Sequence, residues 1–182
     1  MNYDAQRMFD EALARLNDAN VLARSVKTTS DSSALLQILG FEILLKCAIR
    51  LSGQTPKQHH DYGKLWLALP GYAQKEILQR AKERSPGHTD FSDLTKLLHW
   101  YQFVFEKARY HYELYEGWTP EEQKEFGKLW KELGAPTKEA VVQYHPEELF
   151  CLVEALKAYI EPRLPNNSCS RRAKTHAADG CR

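Results

Sequence analysis

The stretch ALLQILGFEILLKCAIRL, residues Ala34 to Leu51, decides the fold of this chain. Apolar residues point in nearly every direction around a helix of this length, and a helix that is apolar almost all round is buried among other elements. It is too short and carries too many charges to span a bilayer. The stretch therefore predicts one central helix, with other helices packed against most of its surface.

One narrow polar stripe interrupts this apolar surface. Glu42, Lys46 and Arg50 follow one another at steps of four residues, with Gln37 before them. Residues four apart lie on the same side of a helix, and a glutamate N-terminal to a lysine at this spacing favours an ion pair. We expect the stripe to face solvent, a cavity or a partner subunit, while the neighbouring Leu44 and Leu45 are fully buried.

Helical periodicity continues through most of the chain, and alternating runs of β-branched residues are absent. We therefore predict an all-α protein. Residues 1–164 are expected to form a single domain with extra short helices, and residues 165–182, which are polar and mildly basic, a disordered tail. The predicted helices cover about residues 3–24, 34–51, 61–69, 72–84, 91–115, 119–133 and 145–159.

Size, composition and charge are those of an ordinary globular domain. The chain has 182 residues, of which 43% are hydrophobic and 27% charged, so it is long enough to bury a core. Its net charge of +1 gives no overall field that attracts nucleic acid, and any nucleic-acid role must rest on a local patch. The N-terminal residues lack the apolar run of a signal peptide, and the four cysteines do not suggest a disulfide framework. We expect a cytoplasmic, reduced protein without a membrane partner.

Two further segments carry a resemblance to a known family. The run GFEILLKCAIRLSG, then a short polar loop, then HHDYGKLWLAL from His59 to Leu69, resembles the second and third helices of a HEPN domain. The family is named for nucleotide binding in higher eukaryotes and prokaryotes, and the resemblance covers about residues 1–115 best. It implies an antiparallel, up-and-down helical bundle, often a homodimer, in a protein that handles RNA or nucleotides. A bacterial toxin–antitoxin or defence system is the expected context, with an antitoxin or a nucleotidyltransferase as partner.

The resemblance also implies where a catalytic pair would lie. Catalytic members of the family use an arginine followed, after four to six residues, by a histidine, which together act on an RNA phosphodiester. The candidate arginine is Arg109, but the permitted positions hold Leu114, Tyr115 and Glu116. A histidine occurs at His111 instead. Two residues along a helix correspond to about 200° of rotation, so within one chain the two side chains would not converge on one phosphate unless the helix breaks there. Across a dimer they could meet.

Each of these residues also has an ordinary structural interpretation. Arg109 has Glu113 and Glu106 at ion-pairing distances along a helix, and His111 fits the edge of a packed helix. Glu42 can pair with Lys46, although in the family it can lie near the catalytic pair.

An aromatic segment lies around the candidate arginine. Its members are Trp100, Tyr101, Phe103, Phe105, Tyr110, Tyr112, Tyr115 and Trp118. Because Lys107 and Arg109 are interleaved with them, the segment could stack bases; an aromatic core helix or an aromatic dimer interface gives the same pattern. Glu42, Lys46, Lys107 and Tyr110 are the residues that we expect to bind a ligand.

Metal and cofactor binding are not indicated. His59, His60 and Asp61 are adjacent in a loop, but the common role of His60 or Asp61 at such a place is to cap the following helix. Three functions remain open. The first is a HEPN-like binding or regulatory module associated with nucleotides or RNA, and the second is a metal-independent endoribonuclease that uses Arg109 and His111 across a dimer. The third is a structural helical adaptor.

Overall fold

The computed structural model describes residues 3–25, 32–107, 115–134, 140 and 142–165. These residues form seven α-helices and no strand, which confirms the predicted all-α class. The helices are α1 (Tyr3–Ser25), α2 (Ser32–Leu51), α3 (Tyr62–Leu67), α4 (Gly71–Arg84), α5 (Leu94–Glu106), α6 (Pro120–Glu132) and α7 (Pro146–Ile160). A short 3-10 turn, Glu161–Arg163, follows α7. The predicted tail begins at Pro165, and its residues 166–182 lie outside the described residues.

The central position predicted for α2 is confirmed. It packs against α1, α7, α3 and α5, and both Leu44 and Leu45 are completely buried. This helix lies in the middle of the molecule because its surface is apolar on nearly every side. Such a surface is removed from water only when other helices pack around it. Gly53 ends the helix with a φ of +83°, a left-handed conformation that glycine adopts without steric cost.

The hydrophobic core joins helices that are distant in sequence. Buried residues run from Ala5 on α1 to Ile160 on α7 and belong to one cluster. Tyr101 on α5 is completely buried, and its hydroxyl donates to the carbonyl oxygen of His145 at 2.9 Å. At Tyr101, the aromatic segment is therefore part of a core helix, which is one of the three interpretations of that segment given above.

Helix α5 is shorter than the periodicity predicted. Its first residue is Leu94 rather than Phe91, because the Asp93 side chain accepts the backbone N–H of Lys96 and caps the helix there. It ends at Glu106, whereas the prediction extended to Tyr115. Residues 108–114 lie outside the described residues.

Helix α6 differs from the others because none of its residues is buried. Its N-terminus follows the predicted pattern: Thr119 and Glu122 form a capping box, with Pro120 in the first turn. The hydrogen bonds from Thr119 lower the pKa of the Glu122 carboxyl. No helix among the described residues has the length and apolarity required to cross a bilayer.

Candidate functional site

A buried carboxylate lies at the centre of the candidate site. Glu42 is only 3% exposed, and each of its two oxygens has a partner. The Lys46 ammonium lies 2.7 Å from Oε1, and the Nδ1 atom of His60 lies 2.8 Å from Oε2. We call Glu42, Lys46, His60 and the adjoining Phe105 the carboxylate–imidazole site.

The polar stripe of α2 supplies the first two residues. Glu42 and Lys46 are four apart, so the helix itself places the ammonium beside the carboxylate. The stripe becomes more exposed toward its C-terminal end: the Lys46 side chain is 19% exposed, and that of Arg50 35%. Arg50 pairs with Asp4 of α1 at 2.9 Å. The stripe therefore faces polar partners from other elements rather than bulk solvent alone.

The loop before α3 supplies His60, and hydrogen bonds hold this loop in place. Asp61 caps α3 by accepting the backbone N–H of Lys64 at 2.9 Å, which confirms the predicted capping role. The Lys64 ammonium also lies 2.7 Å from the Asp61 carboxylate. Both contacts lower the pKa of the Asp61 carboxyl, and the contact with the Lys64 side chain lowers it more than the contact with the Lys64 backbone N–H does. The backbone N–H of Asp61 donates to Nδ1 of His59 at 3.1 Å.

Aromatic rings support the imidazole from the side of α5. The ring centroids of His60 and Phe105 are 4.9 Å apart, with the planes tilted by 45°. Tyr62 and Phe41 continue this aromatic contact into the core, with centroids 5.9 Å apart. The His60 side chain is nevertheless 47% exposed. Glu42 and Phe105 therefore hold the ring in place while about half of it remains accessible to solvent.

This arrangement can bind or transfer a proton at the outer edge of the imidazole. Glu42 occupies Nδ1, which leaves Nε2 as the nitrogen that can meet a ligand. A carboxylate that orients a histidine in this way also fixes which ring nitrogen carries the proton. Across the described parts of the chain, no three His, Cys, Asp or Glu side chains are grouped to hold a metal ion.

The structure brings together some of the residues expected to form the site. Glu42 and Lys46 are in direct contact, whereas Lys107 is the exposed C-cap residue of α5. Arg109, Tyr110 and His111 lie outside the described residues. The contact between Arg109 and His111 across a dimer therefore stays a prediction.

His60 is the site residue that sequence reasoning missed. The adjacent histidines His59 and His60 were visible, but they suggested a cap or a weak metal site. The partner of His60 is Glu42, eighteen residues earlier in the chain. No local spacing rule joins a helix residue to a loop residue at that separation, since their contact depends on how the chain turns between α2 and α3.

Comparisons with protein-family models, with curated proteins and with solved structures give no match.

Proposed function

We propose that this chain is a HEPN-like, antiparallel helical bundle that acts as a binding or regulatory module for RNA or a nucleotide. The observation that carries the proposal is the buried Glu42 carboxylate that holds a half-exposed imidazole. Such an imidazole is oriented in advance, so a ligand does not have to order it. The half-exposed imidazole itself suits a planar base, because histidine rings can stack on bases.

An exposed lysine at the end of α5 is the proposed phosphate contact. Lys107 is exposed at the end of α5, and its side chain is suited to a phosphate on the ligand. Lys46, by contrast, is paired with Glu42 and contributes mainly to the orientation of the site. Since the net charge is only +1, binding would rest on this local group of residues rather than on a general positive field.

The expected biological setting is part of the proposal. We propose that the chain acts in the bacterial cytoplasm as a homodimer, in a toxin–antitoxin or defence system, as its resemblance to HEPN domains implies. An antitoxin or a nucleotidyltransferase is the expected partner. A gene for either protein adjacent to this one would support that setting.

A binding measurement tests the proposal. Purified protein is titrated with short single-stranded RNA and with nucleotides at several salt concentrations. We expect Lys107→Ala to weaken RNA binding and to reduce its salt dependence, because one phosphate contact is lost. Lys96→Ala removes an exposed lysine near the other end of α5 and serves as the matched control. If the wild-type protein binds neither RNA nor any nucleotide, the proposal is wrong.

An endoribonuclease is the second candidate. The observation that favours it is the half-exposed His60, whose Nδ1 is held by Glu42, because an imidazole held by a carboxylate is suited to proton transfer. In this alternative, Arg109 and His111 act across a dimer. Growth of cells that express the wild type, Arg109→Ala or His111→Ala tests it, together with RNA integrity in the presence of purified protein. Equal growth and intact RNA would exclude the enzyme.

A structural adaptor is the third candidate, and α6 favours it. Phe126, Leu129 and Leu133 are 40%, 51% and 66% exposed, and they recur at steps that place them on one side of the helix. An adaptor would lose its partner when Leu129→Lys places a charge on this face. Arg109→Ala and His111→Ala would leave partner binding unchanged.

A further inference from the structure

The two adjacent histidines of the α2–α3 loop have different hydrogen-bond partners: a donor contacts His59, and an acceptor contacts His60. Nδ1 of His59 lies 3.1 Å from the backbone nitrogen of Asp61. A backbone N–H can only donate, so Nδ1 of His59 must accept and carries no proton. The neutral ring then has its proton on Nε2. His59 lines a surface cavity together with Lys57 and Lys64, and it is suited to donate to a ligand there.

His60 has the reverse arrangement. Its Nδ1 lies 2.8 Å from Oε2 of Glu42, and an ionised carboxylate can only accept. The Lys46 ammonium lies 2.7 Å from the other oxygen, so it too donates to the carboxylate. Nδ1 of His60 therefore carries the proton and donates it to Glu42. In the neutral ring, Nε2 then has only a lone pair.

We infer that His59 and His60 are held in opposite tautomers, and that His60 selects a ligand group that donates a hydrogen bond. The ligand part of this inference rests on the proposed function. A ribose hydroxyl or a base N–H satisfies the lone pair of Nε2, whereas a phosphodiester oxygen, which only accepts, does not. Glu42 and Lys46 are positioning residues here, because they act through the imidazole.

Nitrogen-15 NMR tests the tautomers without any ligand. In the neutral rings, we expect His60 to be protonated on Nδ1 and His59 on Nε2. The two rings are internal controls for each other in one spectrum. A His60 ring that carries its proton on Nε2 would overturn the inference.

Glu42→Gln provides a second test of the same assignment. With Lys46 donating to one side of the new amide, the amide oxygen turns toward Lys46 and the NH₂ group toward His60. The NH₂ group donates, so Nδ1 of His60 must now accept, and its proton moves to Nε2. We expect His60 to change tautomer in this variant while His59 does not. If His60 keeps its original tautomer, Glu42 does not set it.

Binding measurements test the ligand class. The probes are a short single-stranded RNA, the matched DNA without 2′-hydroxyl groups, and dimethyl phosphate, a phosphodiester anion that has no hydrogen-bond donor. We expect His60→Ala to weaken RNA binding about three- to tenfold, the effect of one hydrogen bond. A loss confined to RNA identifies the 2′-hydroxyl as the donor, and an equal loss for DNA identifies a base N–H. Dimethyl phosphate should compete with RNA equally well for the wild type and for His60→Ala.

A matched control separates this inference from the proposed function. His88→Ala removes an exposed histidine in the α4–α5 loop, and thermal unfolding of each variant shows whether it is folded. If the wild type binds RNA and His60→Ala behaves like His88→Ala, the role of His60 is refuted while the proposed function stands. If the wild type binds no RNA or nucleotide, the proposed function fails and the ligand part of the inference fails with it. The tautomer assignment is decided separately by NMR.

Discussion

Lys46 and Leu44 lie two residues apart on α2, yet different forces hold their side chains. Leu44 is completely buried in the hydrophobic core. Lys46 is part of an ion pair whose carboxylate is 4% exposed and whose ammonium-bearing side chain is 19% exposed. Removing one partner of such a pair leaves a charge in a poorly solvated place, and the cost of that charge exceeds the value of the contact.

Lys46→Ala should therefore cost more than the loss of a surface lysine. We expect a loss of about 1–3 kcal/mol in the free energy of unfolding, because Glu42 keeps only His60 as a partner. Leu44→Ala should cost about 2–5 kcal/mol through lost burial and the cavity left behind. Urea denaturation of both variants measures these values. A change below about 0.5 kcal/mol for Lys46→Ala, as for an ordinary surface site, would mean that solvent reaches the stripe freely.

Asp61 gives a pH-dependent prediction. Its pKa is lowered from 3.8, first by the side chain of Lys64 and then by the backbone N–H of Lys64. The folded state therefore holds the proton of Asp61 less tightly than the unfolded state does. The resulting stabilisation is present above about pH 3.8 and is lost as the pH falls through the lower pKa of the folded state.

Asp61→Asn retains a capping oxygen but cannot ionise. The difference in Tm between wild type and this variant should be largest near neutral pH and should shrink as the pH falls below 3.8. Thermal unfolding followed by circular dichroism measures it. A difference that stays constant with pH would show that Lys64 does not stabilise the Asp61 charge.

At the scale of the helices, α1 and α2 approach closely at Gly40. A Cβ atom on Gly40 would lie 2.8 Å from Cγ of Leu16 and 3.4 Å from the carbonyl oxygen of Ala12. The first distance is too short for two carbon atoms, so a substitution there must displace Leu16 or the whole helix. The absence of a side chain at Gly40 therefore sets how closely the two helices can pack.

Gly40→Ala should destabilise the protein by about 1–3 kcal/mol through overpacking, although alanine favours a helix by about 1 kcal/mol over glycine. Adding Leu16→Ala should recover part of this loss, because it removes the atoms that clash. A double-mutant cycle from urea denaturation measures the coupling. Gly127→Ala in α6 is the matched control, since a Cβ there meets nothing within 4 Å. Equal effects at both glycines would contradict the close approach.

The observed helix boundaries show which features of a helix local sequence patterns can predict. The capping box at Thr119 placed the start of α6 correctly. Periodicity alone placed the start of α5 at Phe91, which is indeed buried but lies before the helix. The Asp93 cap decided the true start. Apolar periodicity indicates which residues enter the core, whereas the backbone hydrogen bonds of a cap decide where a helix begins.

At the scale of the whole molecule, hydrogen bonds tie distant segments to the core. The hydroxyl of Tyr144, which lies just before α7, donates to Oε1 of Gln37 on α2 at 2.8 Å. Burial raises the pKa of Tyr144 to about 12. The thiol of Cys47 on α2 donates to the carbonyl oxygen of Ala5 on α1 at 3.2 Å. These contacts form only when the complete core is assembled.

Cys47 can therefore report on global unfolding. Burial, and to a smaller extent the charge of Asp10, raises the pKa of its thiol to about 12, and the thiolate is the reactive form. In a Cys169→Ser/Cys181→Ser background, a thiol reagent should label Cys47 about a thousandfold or more slowly than it labels the urea-unfolded chain. Cys151, which is also buried, should be labelled in parallel. Fast labelling of Cys47 alone would indicate local opening between α1 and α2.

The sequence by itself determined the all-α class, the central place of α2, the burial of Leu44 and Leu45 and the contact between Glu42 and Lys46. Each of these follows from the period of a helix, which relates residues only a few positions apart. Only the tertiary structure decided that Glu42 is buried, that His60 is its second partner and that Gly40 lies against Leu16. Those contacts join separate elements, and they depend on the path of the intervening loops and on the packing of whole helices, which no short-range pattern contains.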